Sequence, residues 1–276
     1  RFVWGMDVGH SPYSTAFASV APVTANVGGQ PVDADLVQQF TQRVYVDQAT
    51  LIGQYPFSTT RRVEFTAGVT HLGFNTQVEQ LVVVGDQVID RQTFDTTSAP
   101  SINYMQASAA FVGDNSFNGF TGPINGYRYR FEVSPTFGSL QFETALADVR
   151  KYFFKRPLTF AVRGIHYGRY GTDASSNNLS PIFIGDPSII RGYSAESFDP
   201  AECTRLNSTS CPEFDRLVGS RIVAASAELR IPLLGTDQFG LIKSPLFPVE
   251  IAPFFDGGLA WSRGDSVDLS CSTNSV

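Results

Sequence analysis

Tyr127-Arg128-Tyr129-Arg130-Phe131-Glu132-Val133 alternates without a break, with Tyr, Tyr, Phe and Val at odd positions and Arg, Arg and Glu between them. Successive side chains of a strand point to opposite faces, so this stretch is a strand with an apolar-aromatic side and a charged side. The same period runs through Arg62 to Val69, where Val63, Phe65, Ala67 and Val69 oppose Arg62, Glu64 and Thr66. From Val223 to Ile231, Val223, Ala225, Ala227, Leu229 and Ile231 share one face, and Ser226, Glu228 and Arg230 the other. From Val249 to Trp261 the apolar face holds Val249, Ile251, Phe255, Leu259 and Trp261, and the opposite face Glu250, Ala252, Phe254, Asp256 and Gly258.

Working outward, further strands are expected over Phe2 to Val8, Val78 to Phe94 with a turn at Gly85-Asp86, Ile102 to Val112, Leu140 to Phe153 and Leu158 to Tyr167. Turn residues punctuate them: Asp114-Asn115-Ser116, Gly122-Pro123, Pro135 with Gly138, Arg156-Pro157 and Gly235-Thr236-Asp237. One helix is expected, Asp33 to Gln42, with Asp33 as its cap.

Composition removes whole classes of function. The 276 residues carry 20 Lys+Arg against 26 Asp+Glu, a formal charge of −6, and 13% are aromatic, so the chain is not disordered. The basic residues are scattered, which leaves no electrostatic footprint for nucleic acid. Charged residues make up 17%, below the roughly 25% of soluble domains. The longest apolar stretches, Leu81 to Val84 and Pro248 to Phe255, fall far short of the ~18 residues of a spanning helix. The chain opens inside a strand with no signal segment and reads as a piece of a longer precursor. Cys203 and Cys211 lie eight apart in a polar stretch, a spacing that suits a small disulfide loop, with Cys271 left over. Metal is disfavoured, because there is no Cys-x-x-Cys and His10, His71 and His166 are far away in sequence.

Two architectures explain many alternating strands: a soluble sandwich, with the apolar faces as core, or a transmembrane barrel, with the same faces against lipid. The clearest strands run about ten residues, near the ~9–11 needed to cross a bilayer and beyond the ~5–6 typical of strands generally. Tyr127, Phe153, Phe160, Tyr167 and Trp261 stand near strand ends, as interfacial girdles require. Some connections are very short, whereas one runs from about 168 to 217. Long loops on one side with short turns on the other fit a barrel; a structureless stretch of that length fits a compact soluble domain poorly. The expected fold is all-β, an antiparallel transmembrane β-barrel domain over residues 1–276, incomplete at both ends.

The long loop holds Ile190-Arg191-Gly192-Tyr193, preceded by Phe183-Ile184-Gly185-Asp186. This segment resembles the [V/I]RG[F/Y] signature of the BamA/TamA-like bacterial surface-antigen superfamily, which includes outer-membrane insertases and two-partner secretion transporters. In the same order, Asp114-Asn115-Ser116, Gly122-Pro123 and Gly126-Tyr127-Arg128 resemble the family's approach to an inner strand pair. Ala147-Asp148-Val149-Arg150-Lys151-Tyr152 is similar to its aspartate-arginine-aromatic strand ending, and Phe254, Asp256 and Gly258 to its F-x-D-x-G strand. The resemblance covers residues 114 to 262; earlier residues share the strand rhythm, with Tyr55-Pro56 and Arg61-Arg62-Val63-Glu64 as support. It implies a sixteen-stranded barrel, whereas about nine strands can be placed here, and no POTRA domain can be placed.

The resemblance also implies that Arg191 pairs with Asp256, with Glu228 as the alternative carboxylate. Asp256 shares its face with Glu250, opposite Phe255, and so points into the lumen, where a carboxylate needs a partner. An arginine makes a forked contact that lysine cannot match, Gly192 permits a tight turn and Tyr193 can pack on the wall. Otherwise Arg191 is a surface arginine on a loop. Asp199 with Glu202, and Asp186 with Ser188, read as solvated loop charges, because no nucleophile elbow, zincin or phosphate-loop motif accompanies them. Asn178-Leu179-Ser180 and Asn207-Ser208-Thr209 match glycosylation acceptors that a bacterial outer-membrane protein would not normally use. The implied function is non-enzymatic and cofactor-free: inserting or translocating polypeptides at the bacterial outer membrane, with lipid and client or accessory proteins as partners. Alternatives are a barrel serving only as anchor or pore for a fused module, and a soluble β-sandwich binding module.

Overall fold

The computed structural model describes residues 1–119, 121–192, 203, 211–236, 240–244 and 247–265. Its elements are β1 (Val3–Val27), β2 (Gln30–Ser58), β3 (Arg61–Val84), β4 (Gln87–Thr96), β5 (Ile102–Asp114), β6 (Phe117–Asn118), β7 (Pro123–Gly138), β8 (Phe142–Lys155), β9 (Leu158–Tyr170), β10 (Ile182–Phe183), α1 (Pro212–Asp215), β11 (Val218–Gly219), β12 (Arg221–Gly235), β13 (Ile242–Lys243), β14 (Val249–Ile251) and β15 (Phe254–Trp261). One antiparallel path runs β1-β2-β3-β5-β7-β8-β9-β12 and continues to β15. Each long strand lies beside its neighbour in sequence, as hairpin connections favour. Among the described residues β1 and β15 are each paired on one side only, so the sheet is open.

Register decides which side chains share a face. Ser226 faces Asp256 on β15 and Arg163 on β9; Arg150 faces Arg163; Arg130 faces Asp148; Val112 faces Arg130; Arg62 faces Val112. These residues form one charged face across the wall. The opposite face carries Phe65, Ala109, Val133, Phe131, Val149, Phe160 and Phe255, of which Phe255 is 75% exposed. The charged face satisfies itself. Glu64 accepts from Arg62 Nε (2.6 Å) and Arg130 Nη1 (2.6 Å), Glu132 accepts from Arg130 Nε (2.7 Å), and Asp148 accepts from Arg150 and Arg163.

Three expectations are corrected. Asp33 to Gln42 is no helix but part of β2, because it is paired on both sides: Phe40 faces Phe17 of β1 and Val78 of β3. Two full ladders of backbone hydrogen bonds outweigh a local capping signal. Tyr167 does not join an outward girdle. The tight β8–β9 turn inverts the alternation, so odd residues of β9 share the charged face, and Tyr167 packs beside Ile182, Ile184, Ile190 and Ile222. The proposed strand from Val249 to Trp261 is interrupted at Ala252-Pro253, with both pieces pairing β12.

The sheet has two ends. Ser58/Arg61 and Lys155/Leu158 turn tightly at one; the segment between β9 and β12, which bears β10, α1 and β11, leaves the other. At that loop end β1, β2 and β3 run far on, to 25, 29 and 24 residues, well past the ~9–11 of a bilayer crossing. The excess, with β4 added to the upper part of β3, forms a projecting sheet.

Candidate functional site

The segment after β9 folds back onto the charged face instead of leading away from it. Ile182 and Phe183 pair with Gly219 and Val218, and the Ile184 N–H donates to Leu217 O (2.9 Å). Asp186 organises the turn that follows: its Oδ1 accepts from the Ser188 N–H (2.8 Å), and its backbone carbonyl accepts from the N–H groups of Ile189 and Ile190. The bonds from Ser188 hold the Asp186 carboxyl below its usual value. Beneath the turn Ile184 and Ile190 reach a cluster with Ile182, Ile222 and Ala224, in which Ile222 is fully buried. Burying each such isoleucine contributes about 1.5–3 kcal/mol.

Arg191 follows directly. Its backbone N–H (3.0 Å) and Nε–H (2.9 Å) donate to Asp256 Oδ2, its Nη2 donates to Oδ1 (2.8 Å), and its Nη1 donates to Glu228. The guanidinium carbon lies 3.7 Å from the centre of the Phe254 ring. One side chain thus engages both carboxylates and an aromatic face, and the Asp256 side chain is only 3% exposed. A buried carboxylate is tolerated when it is paired and hydrogen-bonded, and this one accepts three bonds. Gly192 takes φ +94°, a left-handed conformation open to glycine.

Gly258 explains why the strand motif ends as it does. A Cβ there would lie 2.6 Å from Ile184 Cδ1, 2.7 Å from Val223 O and 3.0 Å from Ile190 Cδ1. The loop presses on bare backbone at that point. Phe254, Asp256 and Gly258 therefore form one surface: ring, carboxylate and gap.

Residues 38–276 match the Omp85 superfamily domain. The chain belongs to the Omp85 superfamily. A solved structure of BamA from Haemophilus ducreyi, lacking POTRA domains 1–3, is similar over 95% of this chain and 58% of that one, at 14% identity and a TM-score of 0.45. The chain thus spans 58% of the length of that relative. No curated protein matches. As an Omp85 domain the chain is part of an outer-membrane β-barrel, so its charged face is luminal and its apolar face meets lipid.

Arg163 was not singled out from the sequence. It makes a forked contact with Asp148 (3.2 and 2.9 Å) and donates Nη1–H to the carbonyl of Ser188 (2.6 Å), tying the loop to the β8–β9 wall on the side away from Asp256. Between the two attachments lies a cavity of about 200 Å³ lined by Arg150, Arg163, Ser188, Arg191, Glu228 and Asp256 among others. The only available signal was an inward-facing charge on β9, hidden by the inverted alternation of that strand. Glu228, besides Arg191, accepts from Arg230 Nε (2.5 Å). The sulfurs of Cys203 and Cys211 are bonded, with Cα atoms 5.3 Å apart. Tyr193, Asp199, Glu202, Asn207 to Thr209 and Cys271 lie outside the described residues.

Proposed function

We propose that this domain assists the insertion or translocation of other polypeptides at the outer membrane, and that Arg191 holds the long loop against the lumen wall while it does so. The observation that carries this reading is the contact of Arg191 with Asp256 and Glu228 over Phe254. A loop fixed by the guanidinium groups of Arg191 and Arg163 and by an isoleucine cluster stiffens the wall formed by β9, β12 and β15. A client strand can then pair with an unpaired strand edge, whose backbone donors and acceptors template it. Client polypeptides or accessory assembly proteins are the partners; the work done is pairing and release of strands, with no covalent step, cofactor or metal.

The test replaces Arg191 with Ala in the full-length protein and follows two readouts, protease cleavage within residues 171–217 and delivery of a client to the outer membrane. Faster cleavage with impaired delivery supports the reading. Unchanged delivery despite a released loop would leave Arg191 a purely local fastening and defeat the proposed role.

A further inference from the structure

At the short-turn end the segment between β5 and β7 also turns back onto the charged face. Asp114 Oδ1 accepts from the N–H and the Oγ–H of Ser116 (2.9 and 2.6 Å). The Asn115 N–H donates to Tyr127 O (3.0 Å), and Asn115 Oδ1 accepts from the Tyr127 N–H (2.8 Å). β6 then pairs with the start of β7, and the Gly119 N–H donates to Gly122 O (2.8 Å). The result is a short arm that reaches β12 and β14. Thr121 Oγ1 donates to Glu250 Oε2 (2.9 Å), and Ile124 is buried at the root of the arm. Gly119, Thr121, Phe154, Thr159, Leu234 and Glu250 surround a gap of about 30 Å³ between arm and wall.

Arg230 joins this arm to the Arg191 lock. Its Nη1 donates to Pro123 O (3.0 Å) and its Nε to Glu228 Oε1 (2.5 Å), while Arg191 Nη1 donates to the other oxygen, Oε2. A Cβ on Gly122 would stand 3.0 Å from Arg230 Nη1, so the arm lies directly on the guanidinium. Both side chains of the link are largely enclosed, Arg230 at 19% and Glu228 at 14% exposure. We infer that Arg230 is a positioning residue that couples the arm ending at Pro123 to the long loop, so that the fastenings at the two ends of the lumen loosen together. Long loops mark the outer side of such barrels, so the arm stands at the periplasmic end.

The sign of the coupling follows from the oxygens used. Arg230 and Arg191 take different oxygens of Glu228, so neither displaces the other, and Arg230 fixes the plane of the carboxylate that presents Oε2 to Arg191. Arg230 in turn is aimed by Pro123 O, an acceptor held in place while the arm is seated. With the arm lifted, Arg230 retains Glu228 and the Tyr152 ring, whose centre lies 5.9 Å from its guanidinium carbon, but loses the backbone acceptor that orients it. By linkage the effect is mutual: freeing Arg191 loosens the arm by the same factor as freeing the arm loosens Arg191. The coupling needs only these contacts and is independent of the client role given to the domain.

Peptide-resolved hydrogen exchange on the full-length protein in detergent tests this, read over residues 115–125 for the arm and 182–192 for the loop. Arg230→Ala should speed exchange about two- to tenfold in both segments, the effect of one net hydrogen bond. Arg191→Ala removes bonds to Asp256 and Glu228 rather than to the arm, yet should speed exchange over 115–125 as well, and adding it to Arg230→Ala should change nothing further there. Arg230→Lys has one nitrogen for two acceptors and should show the same sign at smaller amplitude, which serves if the alanine variant does not fold. Exchange in β2 and β3 should stay at the wild-type rate in every variant. An arm unchanged by Arg191→Ala, or a loop unchanged by both Arg230 substitutions, would overturn the coupling. So would faster exchange throughout the wall, which is general loosening, or a loop slowed by losing Arg230, which would make Arg230 a competitor of Arg191 for Glu228.

Discussion

Gly258 lies so close beneath Ile184 that a single added methyl would stand 2.6 Å from Ile184 Cδ1. The neighbouring obstacle is the backbone carbonyl of Val223 at 2.7 Å, which cannot rotate away. Overpacking at such a point costs about 1–3 kcal/mol, and both the loop side chains and the local pairing of β15 with β12 must yield. Gly258→Val is therefore expected to lift the loop from β15 while Arg191 and Asp256 remain chemically intact. Limited proteolysis should show faster cleavage within residues 171–217. A variant cleaved at the wild-type rate would show that Gly258 does not seat the loop.

The second attachment predicts a graded response. Arg163 spends two donors on Asp148 and a third on the Ser188 carbonyl. Lysine can keep one of these bonds and not the fork, so Arg163→Lys should loosen the loop less than Arg163→Ala but measurably. Hydrogen exchange at Ile189 and Ile190, whose amides bond to Asp186 O, reports it. Equal exchange in all three proteins would mean the Ser188 contact holds nothing.

Acid should weaken the turn through Asp186, whose carboxyl is lowered by its bonds from Ser188. A group with a depressed folded-state pKa contributes stability that is complete above its ordinary value, here 3.8, and is lost as pH falls through the lower folded value. Protection of the loop should hold down to about pH 4 and decline below it. Asp186→Asn should flatten that decline. A loss of protection between pH 5 and 7 would point to a different group.

The wall was legible from the sequence for a physical reason: period-two alternation is imposed by the strand, and Tyr127 to Val133, Arg62 to Val69 and Val223 to Ile231 all lie in strands with the two faces as read. Asp33 to Gln42 misled because its polar alternation is interrupted, and nothing local records that β1 and β3 flank it. The three longest strands were underestimated for the same reason: past the membrane band both faces become mixed, as where Phe17, Phe40, Val78 and Phe94 form a row between rows of Gln and Thr. At the site, Arg191, Asp256 and Glu228 were nameable because side-chain chemistry must balance. The Ser188 carbonyl and the Ile184 contact on Gly258 were not, since a backbone acceptor and a missing methyl leave no trace in residue type.

The two carboxylates around Arg191 should not be equivalent. Asp256 accepts three bonds from Arg191 and is nearly sealed from solvent, whereas Glu228 accepts one and shares its charge with Arg230. Removing Asp256 strips Arg191 of three of its four bonds, although the guanidinium, 34% exposed, keeps Glu228 and some solvent. Removing Glu228 leaves Asp256 to hold the guanidinium and should cost about 1–3 kcal/mol, the range for a single hydrogen bond to a charged group left unmade. Loop opening measured by hydrogen exchange should therefore increase much more in Asp256→Ala than in Glu228→Ala, and adding Arg191→Ala to Asp256→Ala should change little, because coupled residues are non-additive. If Glu228→Ala proved the more damaging, the lock would be centred on β12 rather than β15.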